Sequence, residues 1–315
     1  PGDPTVTTSM PRLRDAALLA GLLLPLAGCG GLASKVAASA LTSGGGDAYA
    51  SDDDPELVRA AVPFGLKTME AVLASRPDDE ELLLALTRGF TQFGYAFVAT
   101  DADVADMGGR LAEARAHRER ARHLFLRARG YGLRALDERL DGLGRRLREA
   151  RDPAAVLAAA DLEPEDVPYL YWTATAWALA ISNGKGDMGL VAELPVPVAM
   201  MEKALALDEA WDQGAIHEFF LTYLGTRSAA EGGGAERLRA HRDRALALSM
   251  NKKLGPRVSY AEGWLVQAQD RAAFEATLKE VLEANLDDAP RLRLANVLAQ
   301  RRARLLLEHA DDLFL

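Results

Sequence analysis

The stretch DDEELLLALTRGFTQFGYAFVAT, Asp78 to Thr100, decides the fold. Leu82, Leu86, Phe90, Phe93 and Phe97 follow one another at three- and four-residue spacings. A helix turns once in about 3.6 residues, so these five side chains share one face. A half-buried strand would alternate apolar and polar residues, and this run does not. The spacing predicts an amphipathic helix over 78–100.

The same period recurs to either side. It predicts helices over 55–75, 110–129, 166–182, 193–207, 214–224, 235–249, 258–269, 271–284 and 289–314. Pro55 follows an Asp run, and Pro168 follows Asp166. An Asp cap with Pro in the first turn marks a helix start, because the proline lacks only an N–H that has no partner there. From Pro55 onward no stretch shows a convincing strand period. Aromatic residues make up only 6% of the chain, while Ala, Leu and Arg are abundant, which favours helix over strand. The turns are short and hold Gly, Pro, Asn or Asp, so successive helices should pack as antiparallel neighbours.

A weak internal repeat sharpens this all-α reading. Lys203-Ala-Leu-Ala-Leu207 recurs as Arg244-Ala-Leu-Ala-Leu248, and Arg120-Ala-Arg-His-Leu-Phe-Leu126 is a looser relative. Each closes a predicted helix that follows another, and Ala204 and Ala245 would let helices approach closely. This resembles the second helix of tetratricopeptide (TPR) repeats, whose usual period is about 34 residues. The expected architecture is a superhelix of antiparallel helical hairpins with degenerate TPR-like repeats, whose stacking leaves a concave groove.

Composition bounds the partners. The chain has 315 residues, with 37 Lys and Arg against 46 Asp and Glu, a net charge of −9. Phosphate neutralisation needs a basic surface, so no nucleic-acid partner is expected. A single cysteine excludes an internal disulfide and a cysteine zinc site.

The N-terminal residues read as an address. Arg12 and Arg14 precede an apolar run from Ala16 to Ala27, interrupted only by Gly21 and Pro25. Twelve helical residues span about 18 Å, short of the roughly 30 Å hydrocarbon core of a bilayer. The run therefore fits a secretory signal, not a transmembrane helix. It ends Leu26-Ala-Gly-Cys29, which resembles the lipobox of bacterial lipoproteins, where the signal is cut before a cysteine that becomes lipidated. Residues 1–28 are thus expected to be upstream residues plus a signal peptide. Residues 29–54, with Cys29, Gly44-Gly-Gly46 and Asp52-Asp-Asp54, are read as lipidated cysteine and flexible linker, and 55–315 as the helical domain. Gly30 stands where an Asp would resemble an inner-membrane retention signal. The expected location is the periplasm, anchored by lipid, with the outer membrane favoured.

A search for chemistry yields little. His217-Glu218 opens like a zinc-protease helix, but Leu221 stands where the second histidine belongs. Asn183-Gly-Lys-Gly186 lacks phosphate-loop spacing, and no G-x-S-x-G elbow occurs. No enzyme activity, cofactor or metal is expected. Three features remain. Tyr169-Leu-Tyr171-Trp172-Thr-Ala-Thr-Ala-Trp177 alternates large rings with small residues, which leaves room beside the rings. Trp211 to Tyr223 places His217 and Tyr223 on an aromatic helix. Helix packing and a pocket wall both account for these two stretches. They make Tyr171, Trp172, Trp177, Trp211, His217 and Tyr223 candidates for a ligand-lined pore. Asn296 falls on an apolar line with Leu292, Ala299, Ala303 and Leu306, so its amide should be buried and must find partners, as a structural polar clamp.

Several stretches now read together: Arg120 to Leu133, Leu170-Tyr-Trp172 with Trp177, Ala192-Glu-Leu-Pro195 leading into Lys203 to Asp208, Gly214-Ala-Ile-His217, Val258-Ser-Tyr-Ala261, Gln269 to Phe274, Arg293-Leu-Ala-Asn296 with Gln300, and Asp311 to Phe314. With the lipobox, their order and spacing resemble the T-component (TatT) family associated with TRAP transporters. The resemblance implies a lipid-anchored periplasmic protein of degenerate TPR repeats. It also implies a homotrimer whose protomers each carry a hydrophobic pore, and association with the periplasmic solute-binding P component. The implied cargo is a small hydrophobic or organic-acid ligand. The residues leave a second reading open, a general TPR scaffold lipoprotein that binds peptides or other envelope proteins.

Overall fold

The computed structural model describes Gly2, residues 45–227 and residues 232–315. Cys29, the signal-peptide reading and most of the linker lie outside the described residues. All regular structure among the described residues is helical, without a strand. In chain order the helices are α1 (Gly45–Ala50), α2 (Pro55–Leu73), α3 (Glu80–Phe93), α4 (Thr100–Met107), α5 (Leu111–Arg139), α6 (Leu143–Arg148), α7 (Pro153–Ala158) and α8 (Val167–Asn183). There follow α9 (Met188–Ala192), α10 (Pro195–Leu207), α11 (Trp211–Gly225), α12 (Ala235–Leu248), α13 (Gly255–Tyr260), α14 (Arg271–Glu283), α15 (Arg293–Glu308) and α16 (Ala310–Leu313).

Aspartates start many of these helices, because a carboxylate can accept the amide hydrogens that a first turn leaves unpaired. Asp54 accepts from the N–H groups of Glu56 and Leu57, Asp79 from Leu82, Asp152 from Ala155, Asp187 from Leu190 and Asp270 from Ala273. Asp166 departs from the expected cap of α8. Its carboxylate accepts the N–H of Glu163 and a guanidinium hydrogen of Arg139, which ties α8 to α5 instead.

Side-chain pairs set the packing direction. Down the length of α5, Arg139 pairs with Glu80, Tyr131 stacks on Phe90, and Arg118 pairs with Asp106, so α5 runs antiparallel to α3 and α4. On its other flank Arg139 meets Asp166, Arg129 lies over Trp177, and Arg122 lies near Asp187, so α8 is antiparallel to α5 as well. Small residues let these helices come close. Ala121, Ala128, Ala135, Ala174, Ala176 and Ala180 are fully buried. A Cβ at Gly132 would stand 2.3 Å from the Thr173 hydroxyl, so only glycine allows that crossing. Farther on, His217 and Phe220 meet His241, and Gly214 meets Ala245, which makes α11 and α12 an antiparallel pair. The two repeated pentads close α10 and α12, with Ala204 and Ala245 fully buried.

The last long helix returns to the first. Arg301 of α15 pairs with Glu56 of α2 at 2.8 Å, and Arg302 reaches Asp103 of α4 at 3.2 Å. α1 also packs against α15. The helical circuit therefore closes on itself. The continuous stretch Glu80–Met107 is long and apolar enough to cross a membrane, yet 61% of its apolar window is buried within the protein, as expected of a core helix.

The structure extends and interrupts several expected helices. The helix predicted over 110–129 runs on to Arg139, because Gly132 serves the close crossing with Thr173 and does not end the helix. The helix of 78–100 continues to Met107 through one π-helical stretch, Gly94–Ala99, and the helix of 258–269 holds another, Ala261–Leu265. The regular part of α11 begins only after Asp212, Gln213 and Gly214, which have φ of 42°, 55° and 86°. Residues 289–314 are divided by a 3-10 turn at Pro290–Leu292 and a break at His309.

Asn296 joins two parts of this circuit. It is 4% exposed; its Oδ1 accepts the Leu254 N–H at 3.0 Å and its Nδ2 donates to the Lys252 carbonyl at 2.9 Å. Removing the amide strands both backbone groups away from water, which costs about 1–3 kcal/mol. Asn296→Ala is expected to lower unfolding free energy by about 2 kcal/mol in urea titration, whereas Arg291→Ala, on an exposed turn, should change it by less than about 0.5 kcal/mol.

Candidate functional site

Three of the sequence-selected rings meet. Tyr171 and Trp172 of α8 lie edge to face, with centroids 5.1 Å apart at 87°. Trp211, at the start of α11, stands 4.5 Å from Tyr171 and 6.4 Å from Trp172, the latter at 80°. All three are only half-buried. Trp211 is placed by the left-handed turn Asp212–Gly214 that follows it. Non-glycine residues enter that region at a cost, so something must hold the turn. Lys253 does so: its ammonium donates to the Asp212 carbonyl at 2.7 Å and to Glu218 Oε1 at 2.9 Å, with Asp212 Oδ2 3.8 Å away. Gly214 is required as well, since its positive φ coincides with a Cβ direction that points at the Ala245 backbone 3.1 Å away.

A second group of side chains faces the same region from the other end of the chain. Tyr95 sits on the first π-helical stretch and Glu262 on the second. A π-turn adds a residue to the helical turn and so rotates side chains onto a new face. Arg302 donates to both oxygens of Glu262 and lies 3.2 Å from Asp103. Tyr95 is 58% exposed, yet its hydroxyl is pushed above its ordinary pKa by burial, with Glu262 adding to the effect. Its ring is open to water and stands near Glu262, Arg302 and Asp103. The Tyr171 hydroxyl is raised as well, again chiefly by burial, and it feels Glu218, Asp212 and Tyr95. Burial also raises the carboxyls of Glu218 and Asp103 against their cationic partners. Rings and charges from α4, α8, α11, the two π-stretches and α15 thus lie near enough to act on one another.

The other candidates point elsewhere. Trp177 is 1% exposed; its indole N–H donates to Glu193 at 2.8 Å, and the Arg129 guanidinium lies 4.9 Å over the ring, so it locks α5 to α8. Tyr223 stacks on Phe219 near the far end of α11, under Arg227. His217 is 5% exposed and faces α12. Its Nδ1 lies 2.9 Å from His241 Nδ1 and its Nε2 lies 3.2 Å from Glu209, which a bidentate Arg244 also holds. Sequence reasoning passed over Tyr95, Glu218, Lys253, Glu262 and Arg302. The available signal was weak: a polar-tipped Tyr95 within the apolar run Phe93-Gly-Tyr-Ala-Phe97. Among the described residues, no group of three or more His, Cys, Asp or Glu is arranged to hold a metal.

The histidine pair sets a pH dependence. With both rings neutral, His241 Nδ1–H donates to His217 Nδ1, and His217 Nε2–H donates to Glu209. One added proton is tolerated on His217; a second forces two donors together. Burial, the neighbouring His217 and Arg237 lower the pKa of His241 to about 4, and burial lowers that of His217. The unfolded chain, with histidines near 6.5, then binds more protons below that pH. This contribution is fully present above about pH 6.5 and is lost as pH falls toward 4. His241→Gln keeps a hydrogen bond and removes the titration. The melting temperature of the parent is expected to fall relative to this variant between pH 7 and 4.5 by a few degrees, on the order of 1 kcal/mol, in paired thermal melts.

Comparison with known proteins agrees with the resemblance drawn from the residues. A protein of Treponema pallidum (strain Nichols), described as an uncharacterized protein, is 26% identical over 267 residues, which is 85% of this chain and 82% of that protein. The family model for the TRAP transporter T-component matches residues 51–314, a span that holds every helix from α2 to α16. The chain belongs to the TRAP transporter T-component family.

Proposed function

We propose that this chain is the lipid-tethered periplasmic accessory of a TRAP-type system, which docks the solute-binding P component and passes or receives a small ligand without making or breaking bonds. The observation that carries this reading is the wall of Tyr95, Tyr171, Trp172 and Trp211, rings that water reaches although helices from both ends of the chain surround them. Ligand sites combine such apolar faces with a few placed polar groups. Degenerate TPR-like hairpins would supply the docking rim, and Cys29 the anchor. A homotrimer, as the family resemblance implies, would set several such walls side by side.

The aromatic wall favours transfer of a small molecule over the scaffold reading, which calls for a polar groove along which an extended peptide could pair. The full chain, held in lipid nanodiscs, should capture a solute-binding protein encoded beside it, with a dissociation constant in the micromolar range or tighter. Replacing Trp172 and Trp211 with Ala should leave that capture intact while weakening ligand retention at least tenfold. Absence of capture with both partners folded would reject the docking role. Cys29→Ser should shift the chain from the membrane fraction to the soluble fraction of the envelope after cell breakage or osmotic release.

A further inference from the structure

The aromatic wall has a definite electrical character. Aromatic faces are electron-rich and attract cations, the more so when partly desolvated. Tyr171, Trp172 and Trp211 present such faces at three different inclinations within 6.4 Å of one another. Two carboxylates adjoin them, Asp212 and Glu218, and both act on the Tyr171 hydroxyl. The cation nearest to these carboxylates, Lys253, is already engaged with Glu218 and with the Asp212 carbonyl. Two negative charges therefore share one positive charge. The Asp212 side chain stays 51% accessible, so its charge can meet a ligand. A carboxylate ligand would find the guanidinium that borders this region, Arg302, already engaged by both oxygens of Glu262 and by Asp103, although such a fork is the usual partner for planar anions.

We infer that this wall is a binding site for an organic cation, with an ammonium group held against Tyr171, Trp172 and Trp211 and its charge balanced by Asp212 and Glu218. The inference rests on the ligand-transfer reading above and gives it a ligand class, cationic in preference to organic-acid. The apolar part of the ligand would lie along the rings, and Lys253 would be a positioning residue that fixes Trp211 and Asp212 in the left-handed turn.

Isothermal titration of the full chain in nanodiscs of zwitterionic lipid tests this with three probes of like size: phenyltrimethylammonium, benzoate and benzyl alcohol. The ammonium should bind at least tenfold more tightly than benzoate. The double substitution Asp212→Asn and Glu218→Gln should weaken the ammonium at least fivefold and leave benzyl alcohol within twofold. Asn accepts the left-handed conformation and Gln still accepts from Lys253, so the turn survives; an unchanged thermal melt verifies this. Trp211→Ala alone should weaken both the ammonium and the alcohol. Benzoate bound as tightly as the ammonium, no heat with any probe, or an ammonium affinity unmoved by the double substitution would overturn the inference. Failure here with capture of the solute-binding protein intact leaves the docking role standing; ammonium binding without capture rejects docking and keeps the site.

Discussion

The arrangement depends on how Arg302 is held. Its guanidinium takes both oxygens of Glu262 and reaches Asp103, and so joins the C-terminal helix to a π-turn beside it and to a helix near the start of the domain. A guanidinium is well suited to this, being always charged and able to bond in several directions in one plane. Burial of such a group is costly unless its hydrogen-bond partners are in place, so the three side chains favour one relative placement of the elements that carry them. The Arg301–Glu56 pair adds a second, more exposed link across the same seam. Closed in this way, the helices form a circuit, and Tyr95 stands beside the junction.

Local geometry then decides what the wall contains. An ordinary α-helix would carry Tyr95 and Glu262 on other faces; the π-turns at Gly94–Ala99 and Ala261–Leu265 redirect them. The left-handed turn at Asp212–Gly214 does the same for Trp211, and Lys253 offsets its strain by bonding the Asp212 carbonyl. Elsewhere the chain follows the simplest rules of helix packing. Alanines at Ala121, Ala128, Ala174 and Ala180 allow close approach, while Trp177 and the His217–His241 pair fasten neighbouring helices. The accessible rings and the locking rings belong to the same helices but to different faces of them.

Much of this was legible in the sequence. Period alone located the main helices, and the apolar line through Asn296 foretold a buried amide in need of partners. Tyr171 and Trp172 stand out for room beside their rings and Trp211 for opening an aromatic helix with polar tips, and the three are neighbours. Trp177 belongs to the first of these stretches and His217 to the second, and both face the packed side. Period cannot separate two faces when a helix is apolar nearly all round, as α8 is, with Leu170, Ala174 and Trp177 buried on one side and Tyr171, Trp172 and Leu179 half-buried on the others. The π-turns and the left-handed turn leave almost no mark in composition, for only Gly214 hints at a positive φ. The ion pairs Glu218–Lys253 and Arg302–Glu262 join residues 35 and 40 positions apart, and in their own stretches of sequence they read as ordinary surface charge.

The proposed function requires that the helical circuit enclose a wall which small molecules reach and large ones do not. Thiol labelling at Tyr95→Cys tests it most directly, with the parent chain, which carries Cys29, as the blank. A small methanethiosulfonate reagent should modify position 95 readily, while a bulky maleimide conjugate should react at least a hundredfold more slowly than it does at an exposed control, Met188→Cys. Equal rates at the two positions with the bulky reagent would mean an open outer surface, and no reaction with the small reagent would mean a solid interior; either result would contradict the account.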